Sequence, residues 1–306
     1  MRRGDVDLST SVGSVSLENL VLTASGTSGH DAELAAYGDL SVLGAVVVKS
    51  LSTMPWSGNP APRVVPARDG MVNAVGLQGP GVEAWRTEGL PRLLAAGARV
   101  VASIWGRTVE EFAQAADGLI GADVVAVELN VSCPNLHDGS RMFAHSPSAT
   151  AEVVHVSQRA GIPCWVKLSP NTDRVVEVAA AAVDAGADAL VLTNTLRALA
   201  IDIEHRRGAL GVDAGGLSGP PLHHVALRCV ADCRDALPDT AIIGVGGVRS
   251  AAEVVAFVLA GADAVEVGTA SLADPRAAWR VIEETRRWCA DEGVARLSDL
   301  KGAARA

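Results

Sequence analysis

Gly121-Ala122-Asp123-Val124-Val125-Ala126-Val127-Glu128-Leu129-Asn130-Val131-Ser132-Cys133-Pro134-Asn135 reads as a helix exit, a buried strand and the loop that follows it. Val124 to Asn130 is too apolar for a surface segment, and Pro134 stops the strand from continuing. The Gly-Ala-Asp exit recurs as Gly186-Ala187-Asp188 and Gly261-Ala262-Asp263, each time before another apolar run. Glycine accepts the left-handed conformation that ends a helix, and the two residues after it launch a strand. The repeated unit is therefore a helix feeding a strand, which makes a parallel sheet.

Extending that unit along the chain predicts strands over Leu20–Ala24, Gly44–Lys49, Val100–Ile104, Val124–Asn130, Cys164–Lys167, Ala189–Asn194, Ala241–Gly244 and Ala264–Gly268. The intervening helices fall at Asp31–Ala36, Val82–Ala96, Val109–Asp117, Ser148–Ala160, Thr172–Ala185, Pro220–Leu237, Ser250–Ala260 and Pro275–Glu292. Eight such units make an α/β chain folded as a (β/α)8 TIM barrel, and a length of 306 residues suits one domain spanning 1–306. Val6 to Ser16 is expected to form a short N-terminal hairpin over the far end of the barrel. Three long βα connections, Ser50–Pro80, Pro134–Pro147 and Leu196–Ser218, are expected over the catalytic face, where loops of that length act as lids or binding loops.

The net charge of -9 opposes a surface that tracks nucleic-acid phosphates. Met1-Arg2-Arg3 runs directly into Gly4-Asp5 without an apolar signal region, and no stretch approaches a membrane span. Five cysteines form an odd set, which points to reduced thiols and a cytoplasmic chain. Cys229 and Cys233 lack a second pair to complete a metal site, so no metal is expected.

Chemistry is expected at the carboxyl ends of the strands. There Cys133 could act as base or nucleophile, flanked by the amides of Asn130 and Asn135, which can each donate and accept toward a planar polar substrate. Asn73 and Asn194, with Thr195, add two further amides and a hydroxyl near the same mouth. Lys49 and Lys167 end strands; either alone could snorkel to solvent, but two at one mouth suit an anion or a ring that gains negative charge. Glycine clusters at Gly215-Gly216-Leu217-Ser218-Gly219, Gly244-Val245-Gly246-Gly247 and Gly268-Thr269-Ala270 suit a phosphate-bearing cofactor.

With those motifs assembled, the chain resembles the class 1 dihydroorotate dehydrogenases from about Val6 to Ala273. The likeness rests on Ala24-Ser25-Gly26, Lys49-Ser50, Gly58-Asn59-Pro60-x-Pro62-Arg63, Asn73-x-x-Gly76-Leu77-Gln78, Asn130-x-Ser132-Cys133-Pro134-Asn135, Lys167-Leu168-Ser169-Pro170-Asn171, Asn194-Thr195 and the glycine clusters. Class 2 relatives carry serine where this chain has Cys133, and the Gly76-Leu77-Gln78-x-Pro80-Gly81 run looks most like class 1B.

The resemblance implies FMN-dependent oxidation of dihydroorotate to orotate in pyrimidine synthesis, with Cys133 as the base. It implies a substrate site of Lys49, Asn73, Ala74, Val75, Gly76, Leu77, Asn130, Asn135, Asn194 and Thr195. It places the flavin against Ser25, Lys49, Ser50, Ser103, Asn130, Lys167 and Thr193, and its phosphate against Gly219, Gly246, Gly247, Gly268 and Thr269. A class 1B enzyme further implies a homodimer of barrels and a second subunit carrying FAD and an iron-sulfur cluster; a class 1A enzyme would use fumarate without it. The family usually has asparagine at the positions of Gly79 and Ser103, and Trp105 is bulkier than the usual residue. These departures leave open a related dihydropyrimidine or specialised-metabolite analogue as substrate, and the remaining alternative is a non-catalytic barrel subunit.

Overall fold

A computed structural model of the chain describes residues 2–132 and 143–305. Its centre is a parallel sheet of eight strands: β1 (Val21–Thr23), β2 (Val46–Val47), β3 (Val100–Ile104), β4 (Ala126–Asn130), β5 (Cys164–Leu168), β6 (Ala189–Leu192), β7 (Ala241–Val245) and β8 (Ala264–Val267). The hydrogen-bonded order is β1-β8-β7-β6-β5-β4-β3-β2. Between the two end strands, the Gly44 N–H donates to Val21 O at 2.9 Å and the Val47 N–H donates to Thr23 Oγ1 at 3.0 Å, which brings the ring round to its start. The expected TIM barrel is therefore the observed architecture.

Every residue of β3, β4 and β5 is buried, as a parallel sheet covered on its outer face and filled within requires. The covering helices are α1 (Val82–Ala95), α2 (Val109–Asp117), α3 (Pro147–Ser157), α4 (Val175–Asp184), α5 (His223–Ala236), α6 (Ala251–Ala260), the short α7 (Ala270–Ala273) and α8 (Ala277–Glu292). Local chemistry sets several of their starts. Thr108 caps α2 and Ser146 caps α3 just ahead of Pro147, while Ser250 and Glu253 form a reciprocal capping box on α6.

The Gly-Ala-Asp repeat has the geometry expected of it, with φ of +71°, +101° and +115° at Gly121, Gly186 and Gly261. It also has a function the sequence did not reveal. Asp188 Oδ2 accepts the Cys164 N–H and Asp263 Oδ2 accepts the Ile242 N–H, both across to the neighbouring strand's entrance. These carboxylates occupy backbone donors that would otherwise be lost at the end of the ladder.

The N-terminal hairpin pairs Thr10–Val12 with Val15–Leu17 and covers that same end, with Thr10 Oγ1 donating to Asp263 O. Two expectations change. Asp31–Ala36 is not an α-helix but a 3-10 turn over Glu33–Ala36, because the segment is too short to repay nucleation. Two of the long connections, Ser50–Pro80 and Leu196–Ser218, are also more ordered than plain loops: Leu196–Ala198, Gly215–Ser218, Gly70–Asn73 and Val64–Ala67 form, in that spatial order, an antiparallel sheet beside the barrel mouth, while most of the third, Pro134–Pro147, lies outside the described residues. Among the described residues no helix is long and apolar enough to cross a membrane.

Candidate active site

The carboxyl ends of the strands and the antiparallel sheet enclose one cleft. Ser25 follows β1, Lys49 and Ser50 follow β2, Asn130 ends β4, Lys167 lies in β5, and Thr193, Asn194 and Thr195 follow β6; all line the cleft. Gly219, Gly246, Gly247, Gly268 and Thr269 line its other end, and Asn73, Val75, Gly76 and Leu77 close it from the antiparallel sheet and the turn beyond. The structure thus brings together residues that lie up to 244 positions apart in the chain, from Ser25 to Thr269.

Two of the sequence candidates do not face this space. Ala74 is fully buried, in an apolar cluster with Val72 and Leu210, and its carbonyl accepts from Asn59 Nδ2. Ser103 is also fully buried and stands behind the wall, linking Ser50 Oγ at 2.9 Å to Glu128 Oε1 at 2.8 Å. Cys133 and Asn135 lie outside the described residues.

Asn130 is held by its neighbours on both sides of its amide. Its Nδ2 donates to Ser50 Oγ at 3.0 Å, while its Oδ1 accepts from Asn194 Nδ2 at 3.2 Å and from Ser132 Oγ at 3.3 Å. The second amide is fixed in turn, since Asn194 Nδ2 also donates to Ser132 Oγ at 2.9 Å. A wall of oriented amides and hydroxyls can match the alternating donors and acceptors of a planar ring without reorganising.

The glycines at the opposite end have a steric reason. Gly246 and Gly247 sit at φ +145° and +70°, and a Cβ on Gly247 would come 2.9 Å from the His223 Cβ. By contrast, Gly215 and Gly216 belong to the antiparallel sheet, where Gly216 lets the Thr195 side chain pack closely: a Cβ there would lie 2.0 Å from Thr195 Oγ1. Of that cluster only Ser218 and Gly219 reach the cleft, so the first glycine cluster is largely a packing device. Buried Thr193 Oγ1 and Ser218 Oγ have no hydrogen-bond partner among the described residues, and both residues line the cleft. Ser218 was missed by sequence reasoning, because its strand is only four residues long and rich in glycine.

Lys167 is not a free terminal cation. Its Nζ contacts Glu266 Oε2 at 2.8 Å, Glu128 Oε2 at 3.3 Å and Ser25 Oγ at 3.3 Å. Burial alone would lower the lysine's affinity for its proton, but Glu128 and Glu266 outweigh it and raise the pKa. These two acids were also missed, although an acid inside the apolar runs Val127-Glu128-Leu129 and Val265-Glu266-Val267 is itself a signal.

The unusual positions have local explanations. Trp105 packs edge-on against Trp56 with ring centroids 5.6 Å apart, and Trp56 Nε1 donates to Gly76 O. Gly79 exchanges backbone hydrogen bonds with Trp56, and the space a larger residue would need is taken by His30, whose Nε2 would lie 3.0 Å from a Cβ. Burial, helped by the charge of Lys49, pulls the His30 pKa down to about 4. Among the described residues no group of histidines, cysteines and acids could hold a metal ion, and Cys229 and Cys233 are buried in α5.

Residues 7–288 match the dihydroorotate dehydrogenase family. The chain is 44% identical to the dihydroorotate dehydrogenase B (NAD(+)) catalytic subunit of Geotalea uraniireducens, over 98% of this chain and 99% of that one. It is 45% identical to the protein of the same name from Geobacter sp. strain M21, over 97% and 98% of the two chains. For that of Geobacter sulfurreducens the identity is 43% over 97% and 98%. The chain belongs to the dihydroorotate dehydrogenase family.

Proposed function

We propose that this chain oxidises dihydroorotate to orotate in pyrimidine synthesis, using FMN, as the catalytic subunit of an NAD-linked enzyme. The observation that carries the reading is the single cleft in which the oriented amides of Asn130 and Asn194 stand opposite the glycine cradle of Gly219, Gly246 and Gly247. Relatives of nearly the same length bear that activity in their names.

Two features of the cleft support the FMN reading. Thr193 and Ser218 present buried hydroxyls that lack partners among the described residues, and the cradle keeps clear the volume that side chains would fill. Ser25, Lys49, Ser50, Asn130, Lys167 and Thr193 would hold the ring system, with Ser103 supporting Ser50 from behind. Gly219, Gly246, Gly247, Gly268 and Thr269 would receive the phosphate through backbone N–H groups. When bound, FMN supplies a hydride acceptor that can release its electrons later to another carrier.

The chain's own residues do the rest. Lys49, Asn73, Asn130, Asn194 and Thr195 bind and orient the pyrimidine and its carboxylate, with Asn135 as a further contact and Val75, Gly76 and Leu77 excluding water. Cys133 takes the C5 proton of dihydroorotate as hydride leaves C6. Electrons pass onward through a partner subunit that carries FAD and an iron-sulfur cluster, and the barrels pair as a homodimer in the cytoplasm.

The test is direct. The purified protein should release one FMN per chain, and dihydroorotate should bleach its yellow colour without oxygen. A different nucleotide at full occupancy would remove the cofactor, and a yellow protein that dihydroorotate leaves unbleached would remove the substrate.

A further inference from the structure

Beneath the cleft, one ammonium and two carboxylates share a site from which water is excluded: the Lys167 side chain is 5% exposed, and those of Glu128 and Glu266 are 0% exposed. With all three ionised, the site would hold one negative charge too many, which a dry interior strongly disfavours. Keeping a single proton on one carboxyl removes the excess.

The hydrogen bonds indicate which carboxyl keeps it. Glu128 has a donor on each oxygen, Ser103 Oγ on Oε1 and Lys167 Nζ on Oε2. Glu266 has Lys167 on Oε2 and, among the described residues, no hydrogen-bond donor on Oε1. Among the described residues, β7 (Ala241–Val245), packed beside β8, carries no charged side chain, and the segment after β1 contributes the Ser25 hydroxyl, 3.3 Å from Lys167 Nζ. Lys49 is the other cation that lines the cleft.

We propose that Glu266 and Glu128 form a positioning pair for Lys167 that retains one proton on Glu266 at neutral pH, and that this proton couples reduction of the bound cofactor to pH. The second half rests on the FMN reading. In agreement, burial and the nearby Glu128 charge, against the pull of Lys167, push the Glu266 carboxyl up to about 8.

The coupling follows from linkage. Negative charge arriving on a ring against Lys167 strengthens the hold of Glu266 on its proton, so the protonated form must equally favour the arrival of that charge. Once Glu266 ionises, the floor of the cleft becomes one unit more negative and reduction is disfavoured. The effect passes through Lys167, so Glu266 need not touch the ring.

The experiment compares Glu266 with Glu266→Gln, both in a Cys133→Ala background so that the thiol adds no proton of its own. The reduction potential of the flavin-loaded protein is measured against pH. With Glu266 present, the potential should fall more steeply as pH rises above about 8, because reduction then draws in an additional proton. Glu266→Gln should lose that steeper region, and parallel curves would overturn the coupling. Infrared spectra of the cofactor-free protein test the proton itself: a protonated-carboxyl band at neutral pH should be absent from Glu266→Gln. Should that variant fail to fold, the unsubstituted Glu266 protein still decides, since the band must be present at neutral pH and vanish with rising pH; its absence overturns the proposal. A protein that shows the band but binds no flavin would instead refute the FMN reading and, with it, the coupling, while leaving the proton on Glu266 in place.

Discussion

Glu266 carries a stability consequence independent of any ligand. Its carboxyl moves from an ordinary 4.5 to about 8 on folding, so between those values the folded chain holds a proton that the unfolded chain has released. Its contribution is complete below the lower value and is lost as pH rises through the upper one. Thermal melts should therefore show Glu266→Gln gaining on the wild type from about pH 5 to about pH 8, whereas a constant difference would mean that Glu266 does not hold the proton. Cys133→Ala makes a different kind of test. It should retain the flavin but slow reduction by dihydroorotate ~100-fold or more, the scale of losing a general base, as read by stopped-flow absorbance. The cleft residues Lys49, Asn130, Lys167 and Asn194 were legible because they recur together at the ends of several apolar strands, where any one lysine alone could have been a snorkelling side chain. What sequence could not convey was their partnership: nothing in the spacing of Glu128, Lys167 and Glu266 shows that three separate strands aim them at one point.

Among the elements, helices of nine or more residues were read nearly to their ends, as with Val109–Asp117 and Ala251–Ala260, whose caps and apolar faces are local signals. The strands beside the mouth were not. Leu196–Ala198 and Gly215–Ser218 are held by partners distant in the chain, and neither has enough length to show a period. The same limitation made three glycine clusters look alike, when one is mostly sheet. The cradle after β7 gives a sharper forecast. Gly247→Ala must adopt a left-handed conformation, at a cost of about 1–2 kcal/mol, while pressing its methyl toward His223. It should weaken FMN binding by ~10-fold or more, with riboflavin, which lacks the phosphate, affected less. Equal losses for the two ligands, by fluorescence titration, would place the phosphate elsewhere.

For the molecule as a whole, the proposed function has the barrel oxidise the substrate and hand its electrons to another carrier. The isolated chain should reduce its flavin with dihydroorotate yet pass little to NAD, and NAD reduction should appear when a flavin and iron-sulfur protein that copurifies with it is added. Rapid turnover with fumarate alone would sink the partner assignment. The ring closure described above also has a consequence during synthesis of the protein. Because β1 pairs with β8, the first barrel strand to leave a ribosome must wait for nearly the whole chain before it gains that neighbour. Ser25 and Thr269 reach the same cleft only after that pairing. Cofactor capture is thus a late event in biogenesis, and a nascent chain that stops short of β8 should remain colourless, which makes flavin retention a reporter of barrel completion.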